Sequence, residues 1–261
     1  MFEQFLINVG RQLLTFLSFI GGVSNLVGQT FYWTFVPPYK RQRILEQSRK
    51  AGIDSVPIVA LISLFIGIIL ALQTAYLMQR LGSEIYIASI VALSIVREMG
   101  PVITSLVVAG RVGSAITAEL GSMQVTEQID ALEALASNPV KYLVVPRFLA
   151  LSLMLPILTL FADVIGIFGG WLICVLKLGI SSGLYLNVTF QALLYKDLFT
   201  GTFKTIFFGM IIAFVSCYEG FNVEGGAEGV GKATKQAVVV SFIMIIICDS
   251  IFTALFYFIF P

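Results

Sequence analysis

The sequence contains no histidine, and charged residues make up only 12% of its 261 residues. Histidine is the commonest metal ligand and a frequent general base, so its absence argues against a zinc hydrolase or a Ser-His-Asp enzyme. Soluble domains average about 25% charged residues. With a net charge of only +1, the chain also lacks the excess of basic residues that is typical of nucleic-acid-binding proteins. This composition leaves too little polar surface for a water-soluble body.

Cysteine is scarce as well. The three cysteines, Cys174, Cys217 and Cys248, each lie inside an apolar run. Free cysteine is among the most frequently buried residue types. We therefore interpret all three as small buried side chains rather than as disulfide partners or metal ligands.

Apolar residues, by contrast, are abundant: they make up 58% of the chain, and the mean hydropathy is +0.95. A helix needs about 20 mostly apolar residues to cross the hydrocarbon core of a bilayer. We predict an all-α polytopic membrane protein that forms a single domain over residues 1–261. Its five membrane spans are predicted at residues 56–77, 85–120, 148–175, 200–220 and 237–260.

The N-terminal region, residues 1–36, has the pattern of an interfacial helix followed by an aromatic anchor. Polar residues recur at steps of three and four, and apolar residues fill the opposite face. The polar positions are Glu3, Gln4, Asn8, Arg11, Thr15 and Ser18. The early Glu3 and the lack of a small-residue cleavage site argue against a cleaved signal peptide.

Basic residues indicate the orientation of the chain. Five lysines and arginines lie between residues 40 and 50, just before the first span. Because basic loops stay in the cytoplasm, we expect the N-terminus and the loop at residues 122–147 to be cytoplasmic. With five spans, the C-terminus is then periplasmic.

The cytoplasmic stretch at residues 122–138 predicts a short amphipathic helix with Thr126 as its N-cap. Leu132 and Leu135 lie on its apolar stripe, and an acidic rim flanks them. The rim consists of Glu127, Asp130 and Glu133. The cytoplasmic leaflet is itself negative, so this rim disfavours a helix resting on the membrane. A helix held in the groove of a partner protein fits better.

Arg97 and Glu98 lie well inside the second predicted span. Charges at that depth are costly and face a bundle interior or a wet cavity. Gly100 and Pro101 follow at once and predict a kink. Two readings remain open at this point: a polar patch that lines a substrate cavity, and a structural ion pair with another helix.

Arg111 and Glu119 are eight residues apart, which places them two turns apart on one helix face. Small residues surround them and allow close helix packing. We predict that Arg111 and Glu119 form a structural pair. Two further acids in the spans, Asp163 and Asp249, either line a path or pair with a basic residue.

Residues 226–234 have the spacing of a nucleotide-binding phosphate loop, but Ala233 stands where that loop needs a hydroxyl. No strand is predicted before this segment. We interpret it as a glycine-rich turn ahead of the fifth span, so no ATPase activity is expected in this chain.

Four further segments carry a family resemblance. They are R-E-M-G-P-V at 97–102, A-G-R-V-G-S-A-I-T-A-E-L-G at 109–121, T-E-Q-I-D-A-L at 126–132 and N-P-V-K-Y-L-V-V-P-R at 138–147. Together with the glycine-rich segment, they resemble the MlaE (YrbE) family of ABC transporter permeases.

The resemblance implies a non-catalytic permease in a bacterial inner membrane, present as a homodimer. A separate ATPase subunit would bind ATP and magnesium, while this chain would hold no cofactor. A ring of MCE-domain proteins would lie on the periplasmic side. The implied cargo is glycerophospholipid, moved between the inner membrane and the outer envelope. The helix at 122–138 would couple to the ATPase, and Arg97 and Glu98 would face the lipid cavity.

Two other classes compete with this interpretation. A proton-driven secondary transporter would use Glu98, Asp163 or Asp249 as relays, although such transporters often contain an internal repeat, and none is visible here. A channel or scaffold subunit without active transport is the third class. The acidic-rimmed helix favours a partner driven by ATP.

Overall fold

A computed structural model describes residues 2–37 and 41–259, with the side chains of most residues before position 17 left out. The described residues form helices and connecting turns without any β-strand. Five helical segments are long and apolar enough to cross a membrane. The predicted all-α polytopic class is therefore confirmed.

The five spans are longer than the apolar stretches that predict them. They are Arg41–Arg80, Glu84–Val125, Val140–Leu176, Tyr195–Phe221 and Gly226–Phe258. Each predicted span lies within one of these segments, apart from residues 259 and 260 of the fifth. The polar extensions at the ends carry the spans beyond the hydrocarbon region.

The first span begins with helix α2 (Arg41–Ala51) and continues as α3 (Val56–Arg80). The second contains α4 (Ile87–Ser94), α5 (Gly100–Val108) and α6 (Ser114–Val125). The remaining helices are α7 (Gln128–Ala134), α8 (Val145–Leu176), α9 (Ser182–Ala192), α10 (Tyr195–Phe221) and α11 (Gly226–Ile259).

The N-terminal residues form one helix, α1 (Phe2–Thr34). The side chains on which the interfacial pattern of residues 2–16 depends lie almost entirely outside the described ones, so that pattern stays a prediction. The aromatic end of α1 contacts the bundle. The Phe31 ring lies 5.4 Å from that of Phe148 and 6.4 Å from that of Phe214.

The core lies where α8 packs against α3 and α10. Helices approach closely there because glycines face each other: a Cβ on Gly67 of α3 would overlap the carbonyl oxygen of Gly166 in α8. Small residues let membrane helices gain packing contacts that lipid cannot supply. Cys174 and Cys217 are buried in the bundle as predicted, whereas Cys248 is only half-buried.

The second span contains two segments of π-helix, at Ile95–Met99 and Ala109–Gly113. A π-segment inserts an extra residue into a turn and is frequent at functional sites. The first one ends directly before Gly100 and Pro101, at the position of the predicted kink. Arg97 and Glu98 lie inside it.

The glycine-rich segment differs from its prediction. Residues 226–234 are the first turns of α11, not a turn ahead of it. The turn is confined to the junction with α11, where Gly225 (φ +85°) and Gly226 (φ +71°) have positive φ. Positive φ is a conformation that glycine adopts at no steric cost, which explains two consecutive glycines there.

Candidate functional site

Arg97 and Glu98 lie in the π-segment of the second span, and each contacts a side chain of opposite charge on α10. Arg97 binds Asp197 at the start of α10, with Nη2 2.6 Å and Nε 2.8 Å from Oδ1. The other Asp197 oxygen accepts a hydrogen bond from the Leu194 amide, 3.0 Å away. Asp197 thus ties Arg97 to the beginning of the fourth span.

Glu98 belongs to a second ion pair, centred on Lys204 of α10. The Lys204 Nζ lies 3.0 Å from both Glu98 carboxylate oxygens and 3.0 Å from Asp249 Oδ1 of α11. It also donates to Thr253 Oγ1 at 2.7 Å. Lys204 is only 2% exposed, so its charge is balanced entirely inside the bundle.

Pro101 explains one further contact of Lys204. Proline has no N–H, so it cannot donate to the carbonyl four residues earlier. That carbonyl belongs to Arg97, and its oxygen accepts a hydrogen bond from Lys204 Nζ at 3.3 Å. Pro101 thereby leaves an acceptor for the buried lysine.

We refer to these residues as the charged cluster: Arg97, Glu98, Asp197, Lys204, Asp249 and Thr253. A cavity of about 150 Å³ opens beside it. Lys196, Thr200 and Tyr257 complete the wall. Arg97 is 49% exposed, and Lys196 is exposed too. The cavity wall therefore carries the exposed cations Arg97 and Lys196 together with two carboxylates, Glu98 and Asp197, which are bound by Lys204 and Arg97.

Asp197, Lys204 and Thr253 were not singled out as partners from the sequence. A signal was present, because Asp197 and Lys204 are seven residues apart and so share one helix face. The sequence pattern places the start of the fourth span at residue 200, after Asp197, so the shared helix face of Asp197 and Lys204 is not visible from the predicted span. Asp249, for which a basic partner was one of two predictions, pairs with Lys204.

Asp163 lies in α8 against the same π-segment. It is 3% exposed, and its Oδ1 has no hydrogen-bond partner among the described residues. A Cβ on Gly100 would overlap this oxygen. The glycine after the π-segment therefore makes room for the Asp163 carboxyl.

The predicted pair of Arg111 and Glu119 is replaced by other partners. Glu119 binds Arg147 of α8, with Oε2 2.9 Å from Nη2. Arg111 instead donates to Ser55 Oγ at 2.7 Å. Arg111 and Glu119 line one cavity beside the first span, so they share a helix face as predicted, but each binds a residue of another helix.

The amphipathic helix of residues 122–138 is shorter than expected, because α7 covers only Gln128–Ala134. Thr126 is not its N-cap: the Thr126 hydroxyl donates back to the Ser122 carbonyl at 2.8 Å. The residue before the helix is Glu127, with φ +57°. The Thr126 hydroxyl oxygen accepts from the side-chain amide of Gln128, 3.0 Å away, rather than from a backbone N–H of α7.

The two faces of α7 agree with an amphipathic helix. Ile129 is buried, and Leu132 packs partly against the core. Leu135 is 79% exposed, and Glu127, Asp130 and Glu133 are exposed as well. The structure thus presents an acidic surface with one free leucine at the end of the bundle opposite to the charged cluster.

Comparisons with known proteins now give the chain a context. The family described as Permease MlaE matches residues 44–255. A probable ABC transporter permease protein of Rickettsia conorii is 42% identical over 250 residues, covering 96% of each chain. The intermembrane phospholipid transport system permease protein MlaE of Haemophilus influenzae is 32% identical, covering 98% of this chain and 99% of its own.

A plant protein is similar too. TRIGALACTOSYLDIACYLGLYCEROL 1, a chloroplastic protein of Arabidopsis thaliana, is 40% identical over 213 residues. The match covers 82% of this chain and 61% of the plant protein. The similarity thus extends beyond bacteria.

Proposed function

The chain belongs to the MlaE permease family, and we propose that it is the membrane-spanning subunit of an ABC transporter that moves glycerophospholipids between the inner membrane and the outer envelope. In this proposal two copies of the chain form a homodimer. A separate ATPase subunit binds α7, and a ring of MCE-domain proteins receives lipid on the periplasmic side. The N-terminus is cytoplasmic and the C-terminus periplasmic.

The observation that carries the proposal is the half-exposed Arg97 beside a cavity inside a membrane span. A guanidinium binds a phosphate through paired, charge-assisted hydrogen bonds. Asp197 holds Arg97 in place, and Lys196 adds a second positive charge at the cavity wall. A lipid phosphate is the anion that a bilayer supplies at this site.

The size of the cavity supports a headgroup site. Its volume of about 150 Å³ corresponds to roughly five water molecules at about 30 Å³ each. That space accepts a phosphate with its nearest substituent, whereas an acyl chain needs a longer apolar groove. The acyl chains would lie against the lipid-facing surfaces of α10 and α11.

The remaining parts of the cluster fix the geometry. Lys204 joins the second, fourth and fifth spans through Glu98 and Asp249. A movement of any one of these spans therefore alters the cavity. We propose that ATP binding draws the α7 helices of the two copies together, and that the kinked second span then narrows the cavity and expels the lipid.

No step of ATP hydrolysis is assigned to this chain. We propose that ATP and magnesium bind to the partner subunit alone and that this chain carries no cofactor. Its own contributions are the lipid site and the α7 surface.

The experiment that tests the proposal compares Arg97→Ala with Arg111→Ala. Each variant is purified in mild detergent, and the copurified proteins and phospholipids are identified by mass spectrometry. We expect Arg97→Ala to lower the amount of bound phospholipid, because a charge-assisted contact worth about 1.5–3 kcal/mol is lost. Arg111→Ala, which removes an arginine far from the cavity, keeps its lipid. Equal losses in both variants would contradict the headgroup site.

A further inference from the structure

The largest cavity described in the molecule lies at the opposite end of α10 from the charged cluster. It has a volume of about 840 Å³ and lies between α1, the end of α10 and α11. Glu219 lines it, whereas Lys204 belongs to the charged cluster. These two residues are 15 positions apart on one helix, which corresponds to about 22 Å. We call this space the α1–α11 cavity.

One wall of the α1–α11 cavity is made by a close helix crossing. Phe19 of α1 meets Tyr218 of α10 edge to face, with ring centroids 5.1 Å apart. Gly22 allows this approach, since a Cβ there would overlap the Tyr218 ring. The crossing closes the cavity on the side of α1.

The cavity is polar at one end and apolar along the rest of its length. Glu219, Glu224 and Lys232 line the polar end, next to the start of α11. Along α11 the wall continues with Val240, Ile243, Met244 and Ile247, at steps of three, one and three residues. Ile243 and Ile247 are 52% and 50% exposed, so this wall is open to the surroundings.

The dimensions of the cavity match one leaflet. Lys232 and Ile247 are 15 residues apart, or about 22 Å along α11. Half of the hydrocarbon core is about 15 Å thick, and the headgroup layer adds several more. The cavity therefore runs from the headgroup level to the middle of the bilayer.

The polar end contains an unused acceptor. Glu219 is 7% exposed; Gln236 of α11 donates to its carboxyl group, while Oε1 has no hydrogen-bond partner among the described residues. Buried polar atoms usually have a partner, so this oxygen points to a donor that binds in the cavity. Two carboxylates and one lysine at this end favour a ligand that offers both a positive and a negative group.

We propose that the α1–α11 cavity binds a zwitterionic membrane phospholipid that carries a primary amine. The ammonium group donates to Glu219, the phosphate lies next to Lys232, and an acyl chain follows α11 from Val240 to Ile247. This inference rests on the proposed function only in that the cargo is a phospholipid. The α1–α11 cavity is then a second lipid-binding site, at the α7 end of the molecule. From this site, lipid moves to the charged cluster along α10 and α11.

The test uses the full chain with p-benzoylphenylalanine in place of Ile243, reconstituted in vesicles of equimolar phosphatidylethanolamine and phosphatidylglycerol. Light joins the probe to its neighbour, and mass spectrometry identifies the adduct. Ile246, 54% exposed on the same helix and outside the cavity wall, is the matched control position. We expect phosphatidylethanolamine to be enriched at position 243, while adducts at position 246 reflect the composition of the vesicles.

A second variant tests the role of the carboxylate. Glu219→Gln keeps the shape of the side chain, and we expect it to lower the enrichment at position 243 by roughly tenfold, because a charge-assisted hydrogen bond is lost. Three results would overturn the proposal: adducts at position 243 in the ratio of the vesicles, enrichment of phosphatidylglycerol, or a cross-link to a second copy of the chain.

Arg97→Ala separates this inference from the proposed function. If the α1–α11 cavity binds lipid independently, the enrichment at position 243 persists in Arg97→Ala although lipid at the charged cluster is lost. Failure of the proposed function would instead show as unchanged lipid copurification in Arg97→Ala, whatever happens at position 243.

Discussion

Lys204 determines the stability of the charged cluster. Its ammonium group is 2% exposed and contacts the Glu98 and Asp249 carboxylates at 3.0 Å. Removing one partner of a buried ion pair leaves an uncompensated charge, which costs about 3–5 kcal/mol. We therefore expect Lys204→Met to lower the thermal unfolding temperature in detergent strongly.

Two variants control this prediction. Lys196→Met removes an exposed cation on the same helix and should change stability by no more than about 0.5 kcal/mol. The triple variant Lys204→Met, Glu98→Gln and Asp249→Asn removes all three charges and should regain most of the lost stability. A single Lys204→Met variant as stable as the native chain would show that the carboxylates do not depend on Lys204.

The sequence identified Arg97 and Glu98 as charges that need partners, but not the partners themselves. Asp197 and Lys204 are 100 and 106 residues away along the chain. Pairing at that separation follows from helix packing, which helical periodicity within one span does not report. The same reason explains Glu119, whose partner Arg147 belongs to the next span.

At the scale of elements, the π-segment before Gly100 is held by its contact with α8. A Cβ on Gly100 would overlap the Asp163 carboxyl. We expect Gly100→Ala to lower stability by about 1–3 kcal/mol through overpacking, as measured by thermal unfolding.

The matched control is Gly110→Ala in the same span, where the nearest atom lies 4.0 Å from the added Cβ. Alanine favours a helix over glycine by about 0.5–1 kcal/mol, so this variant should be neutral or stabilising. Adding Asp163→Ala to Gly100→Ala should relieve the overlap. If Gly100→Ala and Gly110→Ala have equal effects, α8 does not press on the π-segment.

The short helix α7 supplies a second test at this scale. Leu135 is 79% exposed on the acidic surface, whereas Leu132 packs against the core. We expect Leu135→Ala to weaken binding of the ATPase subunit by roughly tenfold, since an apolar anchor at an interface is worth more than about 1 kcal/mol. Thermal stability should not change, and a pull-down with the ATPase subunit measures the binding.

Leu81→Ala is the matched control, because Leu81 is 69% exposed at the other end of the bundle. It should leave the interaction intact. Equal binding by the Leu135 and Leu81 variants would place the ATPase contact elsewhere than α7.

The elements were partly predictable from the sequence. Apolar stretches identified all five spans because a bilayer requires long apolar helices. The length of α7 and its N-terminus were not predictable, since the Thr126 hydroxyl could either accept from the first N–H groups of α7 or donate to the preceding helix, and it donates to the Ser122 carbonyl. Similarly, the turn before α11 is confined to a few residues because two glycines with positive φ complete it.

For the whole molecule, the five spans connect two polar ends. The charged cluster and its cavity lie near one end of α10, and α7 lies near the other end. The fourth and fifth spans join these ends directly, and Lys204 links both of them to the second span. This continuity would let a movement at α7 reach the proposed headgroup site through rigid helices.

The alternative function, a proton-driven transporter, requires a different structural feature. It needs an intramembrane carboxylate that is free to exchange protons. Glu98 and Asp249 are both bound to Lys204, while Asp163 is buried against Gly100. Two of the three candidate acids are therefore bound by a cation, which disfavours Glu98 and Asp249 as proton relays.

The most direct measurement is lipid movement in vesicles that contain the chain together with the proposed ATPase and MCE-domain partners. A fluorescent phospholipid is followed with ATP, with a non-hydrolysable ATP analogue, and with a proton gradient alone. We predict that the lipid moves only when ATP is hydrolysed and that Arg97→Ala abolishes this movement while Arg111→Ala retains it. Movement driven by the proton gradient without ATP would contradict the account.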